Sequence, residues 1–241
     1  MPFDGIVTKC VVLELTNKLL GGRIEKVFQP EADEIRINIR AQGNNYKLLA
    51  SASPNNPRLH ITDSNKENPS APPVFCMLLR KHLSGGKILS IDFHDFERII
   101  TVNMECITEL GDTVIRRLIV EIMGKYSNII LTTEQGIIID AIKHVDNEMS
   151  RVREVMPARH YVLPPSQDKI SPLDVNFEDM FPAGNDNETS SVANEAFSVT
   201  TEAASITLDK YILNNVKGFS PLICREVCFR ADIDPKTAVE T

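Results

Sequence analysis

The sequence predicts an α+β fold, an antiparallel β-sandwich-like domain followed by the start of a helical hairpin domain. Three observations predict it. Two helix-periodic segments each stop at a Gly-Gly pair, a series of short strand-like runs is separated by tight turn signals, and the composition shifts after about residue 160. Short antiparallel strands with few helices are the mark of an α+β domain. Residues 6–20 carry Ile6, Val7, Cys10, Val11, Leu15 and Leu19 at helical spacing and end at Gly21-Gly22, where glycine supplies a left-handed stop. Ile35, Ile37 and Ile39 then alternate with Arg36, Asn38 and Arg40, and Gly43-Asn44-Asn45 offers a turn before a second run over 46–52, the pattern of a hairpin with one wet face. A further strand is expected around Arg58-Leu59-His60-Ile61-Thr62. Pro72-Pro73 pre-set the start of a second helix over 74–84, which turns Phe75, Cys76, Leu79 and Leu83 to one side and stops at Gly85-Gly86. Four more strand-like runs follow at 87–93, 98–106, 114–122 and 128–133, with connections at Gly111-Asp112 and Glu134-Gln135-Gly136, and Ile137 begins another.

Beyond Tyr161 the chain changes character. Pro164, Pro165 and Pro172 punctuate a connector, and residues 183–200 are rich in Asn, Ser, Thr and Glu, a composition that cannot bury enough apolar surface to order itself. Helical spacing returns over 201–215, then Lys217-Gly218-Phe219-Ser220-Pro221 opens a second helix running to about Arg230, with another helix start at Pro235. Helix, short glycine-containing turn, helix with proline first is a helix-hairpin-helix signature, in which backbone N–H groups at the turn can hold a phosphate. The same features suit any helical hairpin that needs a turn. The expected division is a first domain over 1–170, a Pro-rich and polar linker over 171–200, and the beginning of a helix-hairpin-helix domain over 201–241.

The formal charge of −7 is unevenly spread: residues 161–241 hold 6 of the 26 basic and 13 of the 33 acidic residues, so the first 160 are balanced at 20 each. A neutral average leaves room for local basic patches. No apolar run approaches a membrane span and no secretory leader is visible at the N-terminus, which predicts a cytoplasmic protein without a membrane partner. Cys10, Cys76, Cys106, Cys224 and Cys228 sit in apolar contexts and fit free buried thiols better than disulfides. Cys224 and Cys228, one helical turn apart, are half a metal site at most. There is no phosphate-loop, dinucleotide, nucleophile-elbow or zinc-protease motif, so neither enzymatic chemistry nor a cofactor is expected. The candidates are therefore binding residues. Arg80, Lys81 and His82 crowd the last turns of the second helix, where cations suit the helix dipole and also form a basic knob able to meet phosphate. Asp4, Glu97 and Arg98 pair an acid with a guanidinium able to face ribose phosphate or stack on a base; without further information they are a surface ion pair worth about 0–1 kcal/mol. Arg23, Arg40, Lys47, Arg58, Lys125 and Lys143 complete the cationic set, with Arg36 and Arg40 on the polar side of one strand.

Several stretches together resemble the N-terminal NFACT domain of bacterial ribosome quality-control factors, a family long labelled fibronectin-binding. They are Phe3-Asp4-Gly5, Gly21-Gly22-Arg23-Ile24 with Gln29-Pro30, residues 68–86, Glu97-Arg98, Val120-Glu121-Ile122-Met123-Gly124-Lys125 with Ser127-Asn128, and Tyr161 before Pro164-Pro165. The resemblance implies a domain folded like the N-terminal domain of formamidopyrimidine-DNA glycosylases, continuation into a coiled coil and a second NFACT domain, and binding of the obstructed large ribosomal subunit and of tRNA, alanine tRNA in particular, for mRNA-independent alanine tailing. An acidic residue near the N-terminus and an Asp-Arg pair are linked in that family to tRNA handling, which carries over to Asp4 and Arg98; Glu97 departs from the usual Asp by one methylene. Two other readings follow from the same likeness. A DNA glycosylase would need the amine of Pro2 partnered by an adjacent acid, but Phe3 stands there. A fibronectin-binding adhesin is disfavoured by the missing leader and unpaired cysteines.

Overall fold

The computed structural model describes residues 3–165, 168–175 and 206–239, and the chain divides into two compact units, Met1–Gln167 and Asp168–Thr241. In the first unit, helix α1 (Gly5–Leu19) begins where the Asp4 carboxylate accepts a hydrogen bond from the Val7 amide at 3.0 Å, satisfying one orphan donor of the first turn. It buries Thr8, Val12, Leu15 and Leu19. Strands β1 (Arg23–Glu31), β2 (Glu34–Ala41), β3 (Asn44–Ser51) and β4 (Arg58–Ile61) follow, then helix α2 (Val74–Leu83) and strands β5 (Lys87–Phe93), β6 (Ile99–Ile107), β7 (Thr113–Glu121), β8 (Asn128–Thr133) and β9 (Ile138–Ala141). All pair antiparallel in one sheet of order β4-β3-β2-β1-β5-β6-β7-β8-β9. The β2–β3 turn lies at Gln42-Gly43, both with positive φ (48° and 80°), one residue earlier than expected and in the conformation that matches strand twist.

The sheet is continuous, yet it behaves as two layers. β1 and β5 share a single registered pair, Arg23 opposite Lys87, and there the sheet turns, so that Ile37, Ile39 and Leu48 of one half meet Ile100, Val102, Leu118 and Leu131 of the other in one buried core. The junction is an internal repeat. Leu19-Leu20-Gly21-Gly22-Arg23-Ile24 and Leu83-Ser84-Gly85-Gly86-Lys87-Ile88 are bonded reciprocally: Gly21 N–H to the Ile88 carbonyl (3.0 Å) and Gly85 N–H to that of Ile24 (2.9 Å), Ile24 N–H to Gly86 and Ile88 N–H to Gly22 (2.9 Å each). Each helix packs crosswise on the other half's first strand, α1 on β5 and α2 on β1. Two glycines are required by space rather than by φ. A Cβ on Gly22 would lie 2.8 Å from Ala41 Cβ and 2.9 Å from the Leu19 carbonyl oxygen, and one on Gly86 would lie 2.8 Å from Cys106 Sγ.

Behind β6–β9 a smaller cluster of Ile99, Ile119, Ile130, Ile138 and Val155 is covered by the segment after β9. It is locked by the fully buried Glu121 carboxylate, which accepts from Arg153 Nη1 (2.8 Å), Arg153 Nη2 and the Tyr161 hydroxyl (2.8 Å). Burial and the neighbouring carboxylate push the Tyr161 phenol far above its ordinary value. The Glu121 to Asn128 motif is thus structural. Ser127 Oγ accepts from the Met123 amide (2.7 Å), Asn128 clasps the Lys143 backbone, and the Lys143 ammonium, its pKa lowered by burial, donates to the carbonyls of Ala52 and Ser127.

In the second unit α3 (Leu208–Asn215) and α4 (Pro221–Arg230) are flanked by the short pair β10 (Ile206–Thr207) and β11 (Ala238–Val239). Ile212, Val216, Cys224 and Cys228 form its core, and burial raises the Cys224 thiol to about 11. Ile170 bridges Val216, so it packs with this unit. Three expectations need correction. Cys10, expected to be buried, is exposed on α1. The helix expected from residue 201 begins at Leu208, with 201–205 outside the described residues, and the helix expected at Pro235 is a turn leading into β11. Residues 176–205, most of the expected linker, also lie outside the described residues.

Candidate nucleic-acid interface

β-strand register brings together cations far apart in sequence. Residues directly opposite in neighbouring strands project to the same face, and Asn45, Arg40, Arg23 and Lys87 stand opposite one another in turn across β3, β2, β1 and β5. The three cations are exposed. Strands lie about 4.8 Å apart, so three positive charges fall within about 10 Å. Like charges in opposite positions repel; Arg40 is held by Asn45 Oδ1 at 2.9 Å and Arg23 by the Gly85 carbonyl at 3.2 Å, while Lys87 has no hydrogen bond or ion pair among the described residues. Lys26, opposite Asn38, continues the basic surface on the next outward position of β1, beyond a bulge at Glu25. Lys87 is absent from the residues selected by sequence; its signal was the repeat of Gly-Gly-Arg-Ile as Gly-Gly-Lys-Ile.

The same face shows why two predicted cations are less available. Arg36 was expected on a wet face, but it is buried, its guanidinium stacked over Phe28 at 4.8 Å and bonded to the Lys66 carbonyl. Arg80 of α2 lies over the same ring at 5.8 Å and donates Nε–H to the Val27 carbonyl at 2.8 Å. The basic knob at the end of α2 is therefore split. Arg80 turns to β1, whereas Lys81 and His82 face the β6–β7 hairpin, Lys81 pairing with Glu109 at 3.4 Å. Burial, then Arg116 and Lys81, lower the His82 pKa. Arg58 and Lys47 are likewise engaged, Arg58 with Glu34 and Asn56, Lys47 with Asn65, and His60 is a half-buried strand residue whose pKa is lowered mainly by burial.

Asp4 and the Glu97-Arg98 pair lie on different elements of the first unit. Asp4 is buried as the cap of α1. Arg98 is exposed at the end of a tight turn between β5 and β6 in which Asp95 and Phe96 have positive φ (35° and 53°). Phe96 is buried, edge-on to Phe93, and carries the Lys9 ammonium of α1 over its ring at 5.1 Å, so the turn is anchored to the helix that Asp4 caps. Glu97 points one carboxylate oxygen into a buried position without a hydrogen-bond partner. The Arg98 carbonyl accepts from the Ile122 amide at 2.8 Å, while its side chain has no hydrogen bond or ion pair among the described residues, which leaves the guanidinium available. In the second unit, Gly218 (φ 73°) makes the turn between α3 and α4, and Ser220 caps α4 by accepting from the Ile223 amide at 3.4 Å. Lys217 N–H is bonded to the Ile170 carbonyl, and the amides of Gly218 and Phe219 have no hydrogen-bond partner among the described residues. Among the described residues no cluster of His, Cys, Asp and Glu could hold a metal ion, and no helix is long and apolar enough to cross a membrane.

Comparison with known proteins identifies the family of the chain. A family model described as NFACT N-terminal and middle domains matches residues 4–241. The Rqc2 homolog RqcH of Bacillus subtilis is 42% identical over 240 residues, covering 99% of this chain and 39% of that protein. The human ribosome quality control complex subunit NEMF is 28% identical over 165 residues, covering 66% of this chain and 14% of its own length. Among solved structures, the N-terminal domain of the fibronectin-binding protein PavA from Streptococcus pneumoniae superposes with a TM-score of 0.81 at 31% identity, covering 96% of this chain and 84% of that one. The chain spans about two fifths of the length of the Bacillus relative. Matched by the family model from residue 4 to its last residue, and throughout by a relative at 42% identity, the chain belongs to the NFACT family.

Proposed function

We propose that this chain is the RNA-binding N-terminal part of a cytoplasmic ribosome quality-control factor, which binds the obstructed large ribosomal subunit and tRNA and, in the full protein, recruits alanine tRNA for mRNA-independent C-terminal alanine tailing of stalled chains. The match to RqcH along almost the whole chain carries this reading. The exposed Arg40–Arg23–Lys87 row, the unengaged Arg98 and the turn amides at Gly218 and Phe219 support it, since phosphate contacts from cations and helix-start amides supply affinity without catalysis. No catalytic group is needed: an aminoacyl-tRNA ester already holds the energy of the bond to be made, and positioning the tRNA is the protein's share. Asp4 acts here by fixing the start of α1, Glu97 and Arg98 by presenting a guanidinium to tRNA, and Lys81 and Arg80 contribute less than Arg40 because each is engaged within the fold.

The test is recovery of the full-length protein from cells under translation stress, with sequencing of bound RNA. Large-subunit RNA with alanine tRNA, the tRNA lost in Arg98→Ala, is expected; absence of both from the wild type overturns the proposal. The name of the PavA structure favours a second reading, fibronectin binding. Saturable capture of the purified protein on immobilised fibronectin, unaffected by added tRNA, would support that reading.

A further inference from the structure

The cleft enclosed by the end of α2 and the β6–β7 hairpin, which meet at the Lys81–Glu109 pair, lies apart from the Arg40–Arg23–Lys87 row. It measures about 200 Å³ and joins two kinds of surface. One wall carries the cations Lys81 and Arg116 with the His82 ring beside them. The other is aliphatic, made of Ile107, Val114 and Leu110. Leu110 at the hairpin tip is 91% exposed and Ile107 68%, although this is a tight turn where polar residues would cost nothing. Arg116 Nε is buried with no hydrogen-bond partner, and its Nη1 has only a long contact of 3.4 Å to the Ile115 carbonyl. The Arg116 guanidinium thus has no strong acceptor within the fold, and its charge is left to an anion in the cleft. The cleft holds one carboxylate of its own, Glu109, but both members of its pair with Lys81 are more than half exposed, so that pair is weak and easily exchanged.

We propose that this cleft binds an acidic, aliphatic peptide segment of a partner protein, with an Asp or Glu carboxylate on Arg116 and Lys81 and a neighbouring Leu or Ile side chain against Ile107, Leu110 and Val114. Charge complementarity selects an anion. The aliphatic wall favours a peptide over RNA, because Ile107, Leu110 and Val114 offer apolar surface to a Leu or Ile side chain but no ring or guanidinium plane on which a base would stack. Arg116 and Lys81 from β7 and α2, and Glu109 from the hairpin, are the charged groups facing His82; a carboxylate bound on Arg116 and Lys81 offsets the two cations that hold the His82 pKa down, so peptide binding draws it upward.

The full chain, isotopically labelled, is titrated with acetyl-Leu-Asp-Leu-Leu-amide, its Asn counterpart, and a uridine oligonucleotide, and amide resonances are followed. Saturable shifts at Lys81, His82, Glu109, Leu110 and Arg116 with the Asp peptide, at least about tenfold weaker in Arg116→Gln, are expected from loss of a charge-assisted hydrogen bond. Leu110→Ser changes an exposed tip and keeps the fold, so its weakening of binding separates the aliphatic contact from any folding defect of the arginine variant. Absence of shifts with the Asp peptide, equal shifts with the Asn peptide, or saturation of these resonances by the oligonucleotide instead would each overturn the proposal.

Discussion

Replacing Arg23, Arg40 and Lys87 together with Gln removes three adjacent exposed charges while sparing the core, since the hydrogen bonds lost are the surface contacts to Gly85 and Asn45. Each phosphate contact steepens the fall of log K with log salt by about 0.7–0.9. If all three cations meet phosphates, the triple variant has a slope shallower by about 2–3, and at about 0.1 M salt it binds tRNA roughly 100–500 times more weakly, the two curves converging near 1 M. Fluorescence anisotropy of labelled tRNA with the full-length protein, across a salt series, reads both quantities. Lys18→Gln is the control, because Lys18 is already paired with Glu14 at 2.6 Å on α1. A triple variant with wild-type slope, or with a loss equal at all salt concentrations, would refute the assignment of this row to phosphate. Removal of the mutual repulsion between Arg23 and Arg40 makes reduced stability an unlooked-for result, and a urea midpoint checks it.

Other outcomes follow from the packing. Arg153→Ala leaves the fully buried Glu121 carboxylate without its guanidinium and is expected to cost about 3–5 kcal/mol in urea denaturation, against about 1–3 kcal/mol for Tyr161→Phe, which removes one hydrogen bond to the same charge; equal effects would contradict the geometry. Gly22→Ala forces a Cβ to 2.8 Å from Ala41 at the junction of the two halves and is expected to cost about 1–3 kcal/mol, whereas Lys26→Ala on the outer surface of the same strand should stay within about 0.5 kcal/mol. His60 and His82 have folded pKa values below the ordinary 6.5, so the unfolded chain binds more protons just below that pH and their stabilising contribution, complete above 6.5, is lost as pH falls toward the lowered values. Stability of the His60→Gln, His82→Gln double variant, measured by thermal melts, should therefore fall less on acidification than that of the wild type.

Much of the local structure was written in the sequence. Gly-Gly pairs after apolar helical stripes marked both helix ends, and alternation with turn residues placed most strands to within a residue, because helix stops and hairpin turns depend on the conformational freedom of the residues that make them. Strand β1 was the one missed in the first unit: the bulge at Glu25 and the shift around Pro30 break its alternation, so its period of two is invisible until it is paired. Family membership was likewise legible, since ordered motifs are a property of the sequence, although most of those motifs prove to hold the fold together, Glu121, Ser127 and Asn128 among them. Only the tertiary structure decided which cations are available. Arg36 and Arg40 share one strand face, yet one is buried under Lys66 and Phe28 and the other is open; Arg80 and Lys81 are sequence neighbours, yet they turn to opposite strands; and Lys87 joins Arg23 and Arg40 through pairing across the junction. Sequence determines the chemistry a side chain carries and the local path of its backbone, whereas its burial and neighbours are set by which strands pair and how the sheet folds over, through contacts between residues as far apart as 91 positions.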